Sequence, residues 1–181
     1  MFQDVQIARV NSPARLVWDD GSTRGLVTHE YARACGMRSE NIVYRLDVVG
    51  SKGEPEQGCY YEFELVKNKG SRKKVWAYGI DKIMEPPDHV DLSSVQHLFP
   101  HLPSSVFQPR PQKSPDILLG NNFLGLHPSG GQGRDAVGDL RAYQSDFGDG
   151  WVLAGTHPDL KLGRCSLTLL LITWPGCSSV R

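Results

Sequence analysis

Residues 16–23 are Leu16-Val17-Trp18-Asp19-Asp20-Gly21-Ser22-Thr23, an apolar run that leads directly into an Asp-x-Gly-Ser turn. Such a run predicts a short buried strand that presents the side chain of Asp19 at its end. Gly21 permits close approach of backbone and substrate, and the Ser22 hydroxyl is a candidate hydrogen-bond partner for the Asp19 carboxylate. These residue types are also ordinary turn formers, so the stretch has two interpretations, a catalytic loop or a simple turn.

A second apolar run that ends in a glycine turn follows about 100 residues later, at Asp116-Ile117-Leu118-Leu119-Gly120-Asn121-Asn122-Phe123-Leu124. It predicts another short buried strand, with Gly120 and Asn122 in the turn after it. The two motifs in this order are more specific than either motif alone. Together they favour the catalytic interpretation of the first stretch.

Three further short motifs accompany these two: Tyr78-Gly79-Ile80-Asp81-Lys82-Ile83, Leu126-His127-Pro128 and the glycine-rich stretch at 147–158. With them, residues 5–160 resemble the peptidase region of Pao/BEL-type retrotransposon polyproteins, a retropepsin-like aspartic peptidase. The resemblance implies an aspartic endopeptidase that processes polyproteins and needs no cofactor and no metal. Asp19 is then the catalytic carboxylate; the catalytic loop is completed by Asp20, Gly21, Ser22 and Thr23, and Gly120 and Asn122 support it from beneath.

The chain carries one Asp-x-Gly-Ser/Thr motif, whereas this chemistry needs two carboxylates that share a proton and a water. The resemblance therefore implies a homodimer in which each Asp19 meets its mate. Asp20 departs from the family, which has Ser or Thr at this position. Two Asp20 carboxylates beside two Asp19 carboxylates are costly unless they are protonated or turned to solvent. A catalytically decayed domain that binds proteins, or a non-functional relic, is the alternative.

The fold class follows from alternating apolar and polar positions, which predict an all-β core. The predicted strands are Val5–Val10, Leu16–Trp18, Ile42–Val49, Tyr60–Val66 and Lys74–Ile80. A short helix is predicted after Thr28, the N-cap, and ends at Gly36; a second is predicted from Leu92 to Phe99. By resemblance the fold is a retropepsin-like closed β-barrel with a flap hairpin, and the flap tip is Gly50, Ser51, Lys52 and Gly53.

The predicted organisation is a protease domain at 1–128, a linker and hairpin segment at 129–163, and an atypical tail at 164–181. Seven prolines mark 85–115 as an irregular insertion in the first of these. Residues 140–143 and 151–154 predict a hairpin in the second. The apolar run in the tail is too short to span a bilayer.

Composition fits a medium-sized globular domain, because the 181 residues have a net charge of zero and are 39% hydrophobic. The basic cluster at 67–74 surrounds a Gly-Ser turn and predicts a solvated hairpin tip, so no nucleic-acid partner and no membrane partner is expected. The four scattered cysteines favour a cytoplasmic protein with reduced thiols. His97 and His101 lack the further ligands of a zinc site.

Overall fold

The structure is a computed structural model that describes residues 1–45, residue 47 and residues 52–162. This part of the chain has one α-helix, α1 (His29–Ala34), and twelve strands: β1 Phe2–Ile7, β2 Ala14–Trp18, β3 Leu26–Thr28, β4 Arg38–Tyr44, β5 Glu56–Val66, β6 Arg72–Ile80, β7 Val90–Asp91, β8 Ile117–Leu119, β9 Ala136–Val137, β10 Leu140–Gln144, β11 Trp151–Ala154 and β12 Lys161–Leu162. Short 3₁₀ helices lie at Leu92–Leu98, Ser104–Phe107, Asn121–Leu126 and Gly133–Asp135.

The largest sheet has the order β1-β2-β8-β3-β6-β5-β4, and β1 also pairs with β5. Six of its strands therefore form a closed ring, and β4 extends β5 beyond that ring. Alternate residues of β1, β5 and β6 are buried, so one face of each strand fills the ring and the other faces outward. The all-β class predicted from the sequence is confirmed.

The strand β8 lies between β2 and β3, parallel to the former and antiparallel to the latter. All residues of β2 and β8 are buried, which is why Leu16–Trp18 and Ile117–Leu119 are continuous apolar runs rather than alternating ones. Trp18 is paired with Leu119, so both strands end at the same edge of the ring. This pairing brings together two loops that are about 100 residues apart in the chain.

The proline-rich insertion packs against the segment after residue 128. Both contribute to a second hydrophobic core, whose buried members are Val95, Phe99, Leu102, Val106, Phe107, Leu140 and Ala142. The strand β7 from the insertion also pairs with β12, which joins the two ends of this region. The segment interpreted from sequence as a linker and hairpin thus shares its core with the insertion.

The side chain of Gln3 joins the barrel to the turn between β10 and β11. It is fully buried in β1, where its amide donates to the carbonyl of Phe147 at 2.6 Å. Its oxygen accepts from the Trp18 indole at 3.0 Å and from the Ser145 hydroxyl at 2.9 Å. Phe147 belongs to the core inside the ring of strands, and the centre of its aromatic ring lies 5.7 Å from that of Trp18. The turn between β10 and β11 is therefore anchored in the barrel.

Most predicted elements are present, with different bounds. The Thr28 hydroxyl caps α1 by accepting from the backbone N–H of Tyr31, and Gly36 follows the helix with φ of +60°, as predicted. The second predicted helix is a 3₁₀ helix. The strand predicted at Ile42–Val49 overlaps β4, which begins earlier, at Arg38, and ends at Tyr44; residues 46, 48 and 49 of that prediction lie outside the described residues. The strand β3 is absent from the predicted strands, because its three residues are too few to show periodicity.

Candidate functional site

Asp19 lies immediately after β2, at the edge of the ring where β8 also ends. Its backbone N–H donates to the carbonyl of Leu119 at 3.0 Å, which continues the pairing of the two strands by one residue. The residue is half-buried, and the next residue, Asp20, is exposed. The strand therefore presents Asp19 at the surface on a backbone that β8 holds in place.

The turn after Asp19 is closed by its own carboxylate. The Oδ1 atom accepts from the backbone N–H of Gly21 at 3.0 Å, the geometry of an Asx turn. Ser22 is buried, and its hydroxyl donates to the carbonyl of Arg24 at 2.8 Å. The expected bond from the Ser22 hydroxyl to the Asp19 carboxylate is thus replaced by one that stabilises the loop backbone. Thr23 is exposed.

Gly120 lies directly beneath this turn. A Cβ atom at this position would be 2.4 Å from the carbonyl oxygen of Ser22 and 2.7 Å from that of Arg24, so only glycine fits. The next residue, Asn121, donates its backbone N–H to the Ser22 carbonyl at 2.7 Å. The structure therefore brings the two sequence motifs into backbone contact.

Two residues that sequence reasoning did not assign also hold the turn. The side-chain amide of Asn121 donates to the backbone carbonyl of Asp20. His127 places Nδ1 at 2.7 Å from the Asp20 carboxylate and Nε2 at 3.2 Å from the carbonyl of Gly120. Asn122 was predicted to support the loop, but its buried side-chain amide has no hydrogen-bond partner among the described residues. In the sequence, His127 is marked only by its place in the stretch Leu126-His127-Pro128, which contributes to the family resemblance.

The outer face of the ring beside Asp19 is apolar. Strand register aligns a row of neighbouring side chains across five strands: Phe2, Val17, Leu118, Leu26 and Tyr78. Val17 is two residues before Asp19, so on an extended chain both side chains point to this face. Ile83 and Met84 pack against the row from the segment after β6. The three central side chains of the row, those of Val17, Leu26 and Leu118, are at most 8% exposed, so this face is covered by its neighbours.

The predicted flap lies between β4 and β5, whose last pair in register is Tyr44 and Glu56. Gly50 and Ser51 are outside the described residues. Lys52 is exposed, and the backbone N–H of Gly53 donates to the Asp47 carboxylate at 3.1 Å. The hairpin topology that a flap requires is present, and its function stays a prediction.

Two tyrosines border this hairpin. Burial, with the nearby Glu56 carboxylate, raises the pKa of Tyr44 to about 12. Its hydroxyl donates to the carbonyl of Gly79 at 3.1 Å. Burial also raises the pKa of Tyr61, whose hydroxyl lies 3.0 Å from the Nδ1 atom of His29. Both phenols are therefore neutral at physiological pH and act as hydrogen-bonding groups in the base of the hairpin.

The remaining candidate groups are engaged with neighbours. Within residues 1–45, 47 and 52–162, no set of three or more His, Cys, Asp or Glu side chains is arranged to hold a metal ion. His97 and His101 lie near the carboxylates of Asp159 and Asp135. Three side chains of the basic cluster at 67–74 form ion pairs with acidic neighbours, namely Lys67, Arg72 and Lys74.

Among the helices of the described residues, each is too short or too polar to cross a bilayer. Comparisons with models of protein families, with functionally characterised proteins and with solved structures found no match to this chain.

Proposed function

We propose that this protein is an aspartic endopeptidase of retrotransposon type, which hydrolyses peptide bonds through two Asp19 carboxylates in a homodimer. One observation carries the proposal: the Asp19 turn and the Gly120 turn are joined in backbone contact at the end of a closed β-ring. A simple surface turn would not need a second glycine whose missing Cβ leaves room for two carbonyl groups. The resemblance of both motifs to retropepsin-like peptidases supplies the reaction class.

In the proposed reaction, the two Asp19 carboxylates hold one water and one proton between them. Repulsion between two close carboxylates keeps one of them protonated at the working pH. The ionised carboxylate removes a proton from the water, which attacks the scissile carbonyl. The protonated carboxylate donates to the carbonyl oxygen and later directs a proton to the leaving amine. The Gly21 N–H holds one Asp19 oxygen and so keeps the carboxylate oriented.

By resemblance, the substrate is an extended peptide that binds beside Asp19. By resemblance, the β4–β5 hairpin would act as the flap that closes over the peptide and excludes water, which would strengthen electrostatic interactions within the cleft. Polyprotein junctions are the expected substrates by resemblance.

The test measures cleavage of a peptide mixture by the full chain, with sedimentation to determine the oligomeric state. Asp19→Asn is the key variant, and Asp139→Asn, at an exposed position, is the matched control. We expect pepstatin-sensitive cleavage by a dimer, a loss of about 10²- to 10⁴-fold in Asp19→Asn, and no loss in the control. Cleavage that survives Asp19→Asn would refute the proposed function.

One observation favours a second candidate, a decayed peptidase that binds proteins without cleaving them. The Asp20 carboxylate lies next to Asp19, in the place where related peptidases have an uncharged hydroxyl. A folded protein without Asp19-dependent cleavage would support the binding module. Circular dichroism of wild type and Asp19→Asn establishes that both variants are folded, so that loss of activity is not confused with unfolding.

A further inference from the structure

Asp20 presents an electrostatic problem for the proposed dimer. A negative side chain next to Asp19 in both copies would bring four carboxylates together, and unpaired like charges in a partly buried interface are strongly unfavourable. The Asp20 side chain is 73% exposed, whereas the His127 ring that contacts it is only 5% exposed. The carboxylate is therefore at the surface, but its partner is part of the protein interior.

His127 contacts two oxygen acceptors at once. Nδ1 lies 2.7 Å from the Asp20 carboxylate, and Nε2 lies 3.2 Å from the Gly120 carbonyl. A neutral imidazole has one N–H and can donate to only one of these oxygens, whereas an imidazolium donates to both. The geometry thus matches an ion pair in which a protonated His127 compensates the negative charge of Asp20.

The His127 ring is held rigidly in this position. It lies 5.2 Å from the ring of Trp18, the residue that ends β2. Its backbone N–H donates to Leu124 at 3.0 Å and closes the 3₁₀ turn that follows Gly120. Pro128, which comes next, is buried. The ring therefore links the strand before Asp19, the Asp20 side chain and the Gly120 turn.

We propose that His127 is a positioning residue that neutralises Asp20 within each chain and holds it away from the partner's Asp20, so that two copies can approach. This inference rests on the proposed function for the dimer, but the pairing of His127 with Asp20 belongs to the single chain. It assigns the Asp20–His127 pair the place of the uncharged hydroxyl in related peptidases. An aspartate at position 20 is then compatible with dimerisation only when histidine is present at position 127.

A double-mutant cycle tests the proposal with His127→Phe, Asp20→Thr and the double variant. Phe keeps an aromatic ring against Trp18 and removes both N–H donors. We expect His127→Phe to weaken dimerisation at least about tenfold, equivalent to about 1.4 kcal/mol, because Asp20 loses its ion-pair partner. Asp20→Thr in that background is expected to restore the dimer dissociation constant to within about threefold of wild type, a coupling typical of contacting residues. Sedimentation over a concentration series measures these constants.

His97→Phe is the matched control, because His97 also faces a carboxylate, that of Asp159, but lies in the insertion. It should leave dimerisation unchanged. Rescue by Asp20→Thr distinguishes charge compensation from packing, since a ring that serves only to pack would give additive effects. Additive effects, or no effect of His127→Phe, would overturn the proposal.

The cycle also separates this proposal from the proposed function. If wild type is monomeric and inactive, the dimeric peptidase is refuted, and the same four proteins are compared by their urea unfolding midpoints. Non-additive midpoints then support the pairing of His127 with Asp20 in the single chain, whereas additive midpoints overturn it. If His127→Phe does not fold, His127→Gln, which retains an amide donor group without the charge, takes its place in the cycle.

Discussion

At the scale of single residues, the candidate site depends on the absence of a side chain at Gly120. The Asp19 turn and the second motif meet at a point where carbonyl oxygens of Ser22 and Arg24 occupy the space of a Cβ atom. The backbone N–H of Asn121 can reach the Ser22 carbonyl only because the chains approach this closely. The glycine thus determines how rigidly the Asp19 loop is supported.

We therefore expect Gly120→Ala to destabilise the fold by about 1–3 kcal/mol or more, because the added methyl group must displace backbone rather than a flexible side chain. Gly125→Ala is the control, since a Cβ there has no neighbour within 4 Å. Urea denaturation followed by tryptophan fluorescence compares the two variants. Equal effects of the two substitutions would show that the close approach at Gly120 is not required.

At the scale of elements, the β5–β6 hairpin is tied to the turn before β11. Lys67, after β5, donates to the Asp146 carboxylate at 2.7 Å, and this hydrogen bond lowers the pKa of Asp146 below its ordinary value of 3.8. The backbone N–H of Asn68 also donates to the Asp146 carbonyl at 2.7 Å. The basic cluster that the sequence shows as a run of charges is thus partly a docking contact between elements.

Because the pKa of Asp146 is lowered in the folded state, the ion pair stabilises the fold above about pH 4, and this contribution is lost as the pH falls through the lowered value. We expect Lys67→Met to raise the pKa of Asp146 toward 3.8 and to remove this contribution. Lys69→Met, which removes a more distant charge, should cause a smaller rise. A carboxyl titration followed by NMR measures both values, and an unchanged pKa in Lys67→Met would contradict the assignment.

At the scale of the whole molecule, the hydrogen bonds between the barrel and the region of the second core determine whether the two cores unfold as one unit. Gln3 bonds to Trp18 in the ring and to Ser145 and Phe147 in the turn between β10 and β11. On the other side, the buried Arg15 of β2 donates to the carbonyl of Pro111 at 3.2 Å, and its backbone N–H donates to Asp116 at 2.7 Å. The β10–β11 turn is therefore connected to the barrel by buried hydrogen bonds, and the end of the insertion by part-buried ones.

From these connections we expect the two cores to unfold together. Phe107→Ala in the second core should cost about 3–5 kcal/mol and lower the unfolding midpoint of the whole protein. Fluorescence, which reports Trp18 and Trp76 in the ring and Trp151 in the second core, should coincide with far-ultraviolet circular dichroism. Leu124→Ala, at a 57% exposed position, should have a much smaller effect. Two separate transitions would show that the cores are independent.

The local pattern of the sequence by itself determined the all-β class, the cap and end of α1, the β10–β11 hairpin and the presence of two apolar runs that end in glycine turns. These features depend on periodicity, capping and turn chemistry, which act between residues a few positions apart. The sequence also pointed to Asp19 and Gly120, because glycine and aspartate have distinctive roles in turns.

Only the tertiary structure decided that β8 lies between β2 and β3, that Ser22 bonds to Arg24, and that His127 rather than Asn122 reaches the Asp20 loop. Each of these contacts depends on strand register and on the direction of a side chain, and neither is encoded in spacing along the chain. The shared core of the insertion and the β10–β11 hairpin likewise arises because apolar side chains from distant segments are buried together. Long-range burial selects among partners that local chemistry leaves equivalent.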